Sequence, residues 1–218
     1  MNIVGSAKLA ILKLLFLLLL LTGCSLVPQS SPVTLIEPAL QQRATPGSTP
    51  PGDWTLRIER PETDQVRDSR LVLVRDSNAS LRVFSPARWV DNIPDLLRAS
   101  IIRHLRDSQR LADVSASAPL ANRVLRIDLR KFEAVDDASA PLRTEIVIDA
   151  RLFDGASGDI LSRRVFAHDQ TIDQVEAADV AAGVGDALDR LVAELADWVV
   201  QAGAAVEPGG ATSSTMDE

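Results

Sequence analysis

The chain is 218 residues long, with 30 acidic against 23 basic side chains, a net charge of −7 and one cysteine. An acidic balance argues against nucleic-acid binding, which draws its affinity from a basic face that releases phosphate counterions. A single cysteine excludes an internal disulfide framework and a zinc site built on several cysteines.

The first 24 residues carry the strongest signal. Lys8 and Lys13 precede the apolar run Leu14 to Leu21, far short of the roughly 20 apolar residues that a membrane-spanning helix needs. A basic start, a short apolar run and small residues before a cut site read as a signal peptide over residues 1–23. Leu21-Thr22-Gly23-Cys24 resembles the lipobox of bacterial lipoproteins. That resemblance implies alkylation of the Cys24 thiol by diacylglycerol, removal of the preceding peptide and acylation of the new amine. Three chains at ~0.8 kcal/mol per buried CH₂ hold a protein on a membrane, where one chain is marginal. Lipidation also explains an unpaired cysteine in an exported chain. Ser25 follows. Under the sorting rule of enteric lipoproteins, Ser here rather than Asp implies the outer membrane, with the domain on its periplasmic face.

Residues 25–52 are rich in Ser, Pro, Gln, Gly and Thr. With the lipidated Cys24 they read as a flexible tether spanning an r.m.s. distance of ~30 Å. Residues 203–218 read as a disordered tail. The stretch 53–202 between them is the size of one domain.

Within it, Trp54 to Glu59 alternates apolar and polar as a half-buried strand does. Leu71-Val72-Leu73-Val74 is apolar on both faces and reads as a central strand. The turn Arg75-Asp76-Ser77-Asn78 leads to a return strand over Leu81 to Phe84. Asp91-Asn92-Ile93-Pro94 starts a helix, which Leu97, Ile101 and Leu105 carry at i+4 spacing to an end between Asp107 and Arg110. Three strands follow, over Leu125–Arg130, Thr144–Phe153 and Ile160–Ala167, with a hairpin loop at Asp154–Asp159. Val180, Val184, Leu188, Leu191, Leu195 and Trp198 stripe a final helix from about Glu176 to Gln201. The expected fold is α/β: a mixed sheet of five to six strands packed with two long amphipathic helices.

Leu71-Val72-Leu73-Val74-Arg75-Asp76, then Arg88-Trp89, then Pro94 with Leu96-Leu97, is similar to the ABC-type transport auxiliary lipoproteins, of which PqiC is a named member. Leu125 to Glu133, Ala150 to Asp154 before the Ser157-Gly158 turn, and Leu191 to Leu195 agree in type and order. The resemblance covers residues 54–202. Similar proteins usually place Tyr before the arginine that ends the second strand; here it is Val74, and the chain has no tyrosine. The resemblance implies a non-enzymatic subunit of an ABC transporter whose substrate-binding component carries MCE domains. Such systems move phospholipids or other hydrophobic molecules between inner and outer membranes. The lipoprotein would dock the periplasmic MCE protein at the outer membrane, as a ring or other homo-oligomer.

Chemistry of the chain's own is thin. His104 lies mid-helix, and His168 sits beside Asp169 on a strand, where neighbours face opposite ways. Asp136-Asp137 and Asp154 with Asp159 are the nearest approach to paired carboxylates, and both stand in turn-like segments. No phosphate loop or nucleophile elbow is present, and neither a metal nor a cofactor is expected. Arg88 and Trp89, between the hairpin and the helix and outside regular structure, are residue types that anchor interfaces. With Arg75 and Asp76 they are the candidate partner contacts, although Trp89 would equally serve to seal the helix against the sheet, and Arg75-Asp76 to close a turn. The competing functions are an assembly or structural lipoprotein for a barrel or exporter, and a lipid-anchored hydrolase built on His104 or His168.

Overall fold

The computed structural model describes residues 32–41 and 52–205. The signal peptide, Cys24, most of the tether and nearly all of the tail lie outside these residues. Ten elements make the domain. They are β1 (Thr34–Ile36), β2 (Gly52–Ile58), β3 (Leu71–Asp76), β4 (Leu81–Trp89), α1 (Ile93–Ser108), β5 (Leu111–Ser115), β6 (Arg123–Asp136), β7 (Arg143–Asp154), β8 (Ile160–Thr171) and α2 (Ala177–Ala204).

The sheet has eight strands rather than five to six. The two extra strands are short and escape a period-two reading. β1 is Thr34-Leu35-Ile36, hidden inside a proline-rich stretch. β5 buries Leu111 and Val114, three residues apart. The sheet is mixed as expected: β1 with β4, β2 with β5 and with β6, and β3 with β6 are parallel, whereas β3 with β4, β6 with β7, and β7 with β8 are antiparallel.

β6 organises the sheet. One edge pairs along its length with β7. The other is shared, with Arg123–Leu125 pairing β2 and Ala134–Asp136 pairing β3. In the gap, Glu59 and Glu62 donate backbone N–H groups to Leu125 O and Ile127 O, and Leu129 donates to Glu62 O. The sheet therefore forks at β6, with β2–β5 on one branch and β3–β4–β1 on the other.

Both helices pack into one apolar core with the sheet. α1 begins at Asn92 in extended geometry, carries Pro94 in its first turn and stops at Gln109, whose φ of 52° is left-handed. It buries Ile93, Leu97, Ile101 and Leu105. α2 lies on β7 and β8 and buries every residue of its predicted stripe. The strand residues that meet the helices alternate as expected, with Leu125, Ile127 and Leu129 on β6 and Ile146, Ile148, Ala150 and Leu152 on β7 all buried. Val74, at the place of the family's tyrosine, is fully buried. Among the described residues no helix is long and apolar enough to cross a membrane.

Residues 34–41, in the middle of the expected tether, do structural work. Ile36 and Pro38 are buried, and Leu40 packs on the core. Val90 donates its N–H to Ile36 O at 3.0 Å, Ala39 to Ala181 O at 3.1 Å, and Gln41 to Asp189 Oδ2 at 2.7 Å. Residues 34–41 thus form a strap from the β4 edge onto α2. The strap fits because α2 has no side chain at Gly185, where a Cβ would lie 2.5 Å from Ala39 O. Gly185→Val should lift the strap and leave the sheet intact. The expected outcome is rapid proteolytic cleavage around residues 36–41 with far-ultraviolet circular dichroism unchanged.

Candidate functional site

The four candidate contact residues do not form one site. Antiparallel pairing sets Arg75 opposite Leu81 and Arg88 opposite Leu71. The two pairs are separated by four strand residues, roughly 13 Å.

Each has a structural task. The Arg75 guanidinium grips Glu133, whose carboxylate is completely buried. Arg67 Nη2 holds the other oxygen at 2.5 Å and Nη1 reaches Asp64 at 2.5 Å. Two guanidiniums on one buried carboxylate compensate its lost hydration, and that needs good geometry to break even. Asp76 accepts from Arg82 Nε at 2.8 Å, and Arg82 Nη2 reaches Asp136 at 2.9 Å, so an exposed ion-pair ladder ties the hairpin to β6. Arg88 lies on β4 itself, not in the irregular link expected between hairpin and helix. Between Leu71–Arg88 and Leu73–Val83, β4 advances five residues while β3 advances two. Arg88 Nη1 donates to Ala87 O at 2.8 Å within this bulge, which contains Pro86.

Trp89 is 1 % exposed and meets Phe132 edge to face, at 5.6 Å between ring centres. A buried ring offers nothing to a partner, so of the two readings Trp89 takes the one in which it seals α1 against the sheet. The carboxylate pairs resolve as turn formers. Asp154 Oδ1 accepts the Ala156 and Ser157 N–H groups at 3.0 and 2.9 Å, ahead of Gly158 at φ +78°. Asp137 Oδ1 accepts the Ser139 N–H at 3.0 Å.

The histidines are also tied into structure. His168 Nε2 lies 2.8 Å from Glu194 Oε2 on α2, and Arg164 takes the other oxygen of Glu194. Asp169, as strand alternation requires, is on the exposed side. His104 is half-buried, and burial pushes its imidazole below its ordinary pKa. Among the described residues no group of three or more His, Cys, Asp or Glu is arranged to hold a metal ion.

The face of the sheet away from the helices is a lattice of opposite charges. Asp149, only 1 % exposed at its side chain, is its centre: Arg163 Nε and Nη2 donate at 2.9 and 2.5 Å, and Arg130 Nη2 joins them. The Arg163 hydrogen bonds hold the Asp149 carboxyl below the usual aspartate range. Lys131 pairs with Glu145 at 3.0 Å. Glu59 bridges Arg57 and Arg126, and Arg126 lies 4.5 Å over the Phe153 ring. Sequence reading marked these positions only as the polar half of each strand. It singled out neither Glu133 nor Asp149, because burial of a carboxylate leaves no local pattern.

The profile of the ABC-type transport auxiliary lipoprotein component family matches residues 34–196, from β1 into the last turns of α2. The chain belongs to that family. Protein XCC0632 from Xanthomonas campestris is similar in structure, with 26% identity, a TM-score of 0.72, and coverage of 79% of this chain and 98% of that one. The hypothetical protein CT253 from Chlamydia trachomatis shares the fold at 12% identity and TM-score 0.52, over 71% of this chain and all of that one. No curated protein sequence matches significantly. The chain is therefore an auxiliary lipoprotein component of ABC-type transport.

Two consequences of this geometry are measurable. Trp89→Ala should cost about 3–5 kcal/mol, the range for emptying a large core site, seen as a lower urea midpoint. Asp149 has a depressed folded pKa, so its contribution is present above the unfolded value of ~3.9 and fades as pH falls through the folded one. Asp149→Asn should lose about 1–2 kcal/mol at pH 7, a modest figure because its arginine partners are partly exposed. The gap to the unaltered protein should close as thermal melts are taken from pH 5 toward pH 3.

Proposed function

We propose that this chain is a non-enzymatic subunit of an ABC transport system whose substrate-binding component is a periplasmic MCE-domain protein. Its task is to dock that protein at the outer membrane, so that phospholipids or other hydrophobic molecules pass between the two membranes. The observation that carries this reading is the family match over residues 34–196. It joins the lipobox ending at Cys24, which implies anchoring, and Ser25, which favours the outer membrane.

Catalysis by the domain itself has little support. His168 is engaged by Glu194, and His104 is half-buried with Asp189 and Asp197 of α2 nearby. Burial of Trp89 removes that residue from the candidate contacts. What remains for a partner is the charged open face of the sheet and its edges, on a homo-oligomer in which several copies would present that surface to one MCE assembly.

Pull-down of the full lipidated chain from detergent-solubilised envelope should recover the MCE protein with its permease and ATPase. Deletion of the gene should raise sensitivity to detergent. Recovery of a β-barrel or exporter without an MCE protein would replace this reading with that of an assembly lipoprotein.

A further inference from the structure

The exposed apolar side chains are not evenly spread. Val33, Leu35, Val66 and Val90 are 50, 59, 46 and 40 % exposed, and they are four of the eight large apolar residues that are exposed among the described residues. Backbone bonds bring the segments around Leu35, Ser69 and Val90 to one end of the sheet. Leu35 stands in register with Arg88, Val90 donates to Ile36 O, Trp89 donates to Arg70 O, and Ile93 donates to Ser69 O. β1 is the terminal strand of its branch.

The same end is where the chain arrives from its anchor. Val33 lies nine residues after Cys24, a reach of at most ~30 Å fully extended and an r.m.s. distance of ~17 Å if flexible. The strap prevents any further slack, because residues 36–41 are bonded to β4 and α2. The edge thus spends its time within reach of the headgroups. Two arginines at this end are placed to meet lipid phosphates. Arg70 and Arg88 donate to the backbone carbonyls of Trp89 and Ala87, with no carboxylate in ion-pair distance among the described residues. Arg60 bridges Asp68 and Asp95 at 2.6 and 2.9 Å, an Asp91 oxygen accepts the Asn92 N–H, and Glu37 is exposed. Apolar side chains flanked by arginines can enter the headgroup region while the guanidiniums stay at phosphate level.

We propose that the β1 edge, with Leu35 and Val90 at its centre, is a membrane-contact surface that seats the domain on the bilayer. The seat sets the tilt of the domain and turns its β8 edge away from lipid. This inference rests on lipidation of Cys24, and the test keeps the two apart.

The full lipidated protein is reconstituted in phosphatidylethanolamine–phosphatidylglycerol vesicles. Acylation occupies the Cys24 thiol, so an introduced cysteine is the one site for an environment-sensitive nitrobenzoxadiazole label. Leu35→Cys, Val90→Cys and Val165→Cys are compared; Val165 is 49 % exposed on β8, five strand spacings or about 24 Å from β1. Flotation with the vesicles reports anchoring. In the floated protein, labels at 35 and 90 should emit at shorter wavelength and be quenched by spin-labelled lipid, and the label at 165 should not. Solvent-like emission at 35 and 90 overturns the proposal while leaving anchoring intact. Quenching at 165 as well overturns it in favour of the whole open face, and shielding at 35 without lipid quenching overturns it in favour of a protein partner. Failure to float removes the lipidation on which the inference rests and overturns it with that reading.

Discussion

The whole domain depends on how the backbone edge of β6 is divided. A strand of 14 residues exposes more hydrogen-bonding groups on one edge than either β2 or β3 supplies. Ladders of three residues are too short to hold alone, and an unpaired buried N–H or C=O costs about 1–3 kcal/mol. Residues 59–63 close the gap. They satisfy Leu125 O, Ile127 O and the Leu129 N–H, and Thr63 Oγ donates to Leu129 O at 2.7 Å. With that edge complete, β6 carries two branches. Each ends in a strand, β5 or β1, that no other part of the sheet would hold.

The division fixes the two faces of the sheet in turn. Register along β6 and β7 places each apolar residue toward α1 and α2, and a slip of one residue would exchange the faces. The single bulge, between Leu129 and Lys131, keeps Phe132 on the helical side, where it meets Trp89. On the other side the same alternation gathers arginines and carboxylates into pairs. Glu133 and Asp149 are buried there only because guanidiniums reach them from neighbouring strands and from the loop that carries Arg67. Charge on this face is thus spent on holding strands together. A polar sheet face so paired is a surface suited to recognition through complementary charge.

The sequence made some of this legible and hid the rest for physical reasons. The α2 stripe was readable because every one of its six apolar positions is buried, so that pattern and packing agree. β6 to β8 were readable because one face meets a core and the other meets water. β1 was not, since Val33 to Ile36 is flanked by prolines whose composition signals a linker, and its partner strand lies about fifty residues on. The β4 bulge defeated the local reading of Arg88-Trp89: an alternating pattern cannot show three extra residues on one strand, and so placed both outside the sheet. Burial of Trp89 depends on Phe132, which lies 43 residues away.

Docking of residues 34–41 changes what the anchor does to the domain. Had the linker been free up to residue 52, the acyl chains would fix only a radius within which the domain tumbles. With the strap bonded to β4 and α2, the connection enters the fold at a defined strand, and any pull from the membrane loads the β1–β4 ladder and the packing over Gly185. The short link then limits the distance from the membrane, and the apolar edge proposed above sets the orientation. In the proposed docking role this is a gain, because fixing the tilt before encounter removes rotational freedom that binding would otherwise have to overcome.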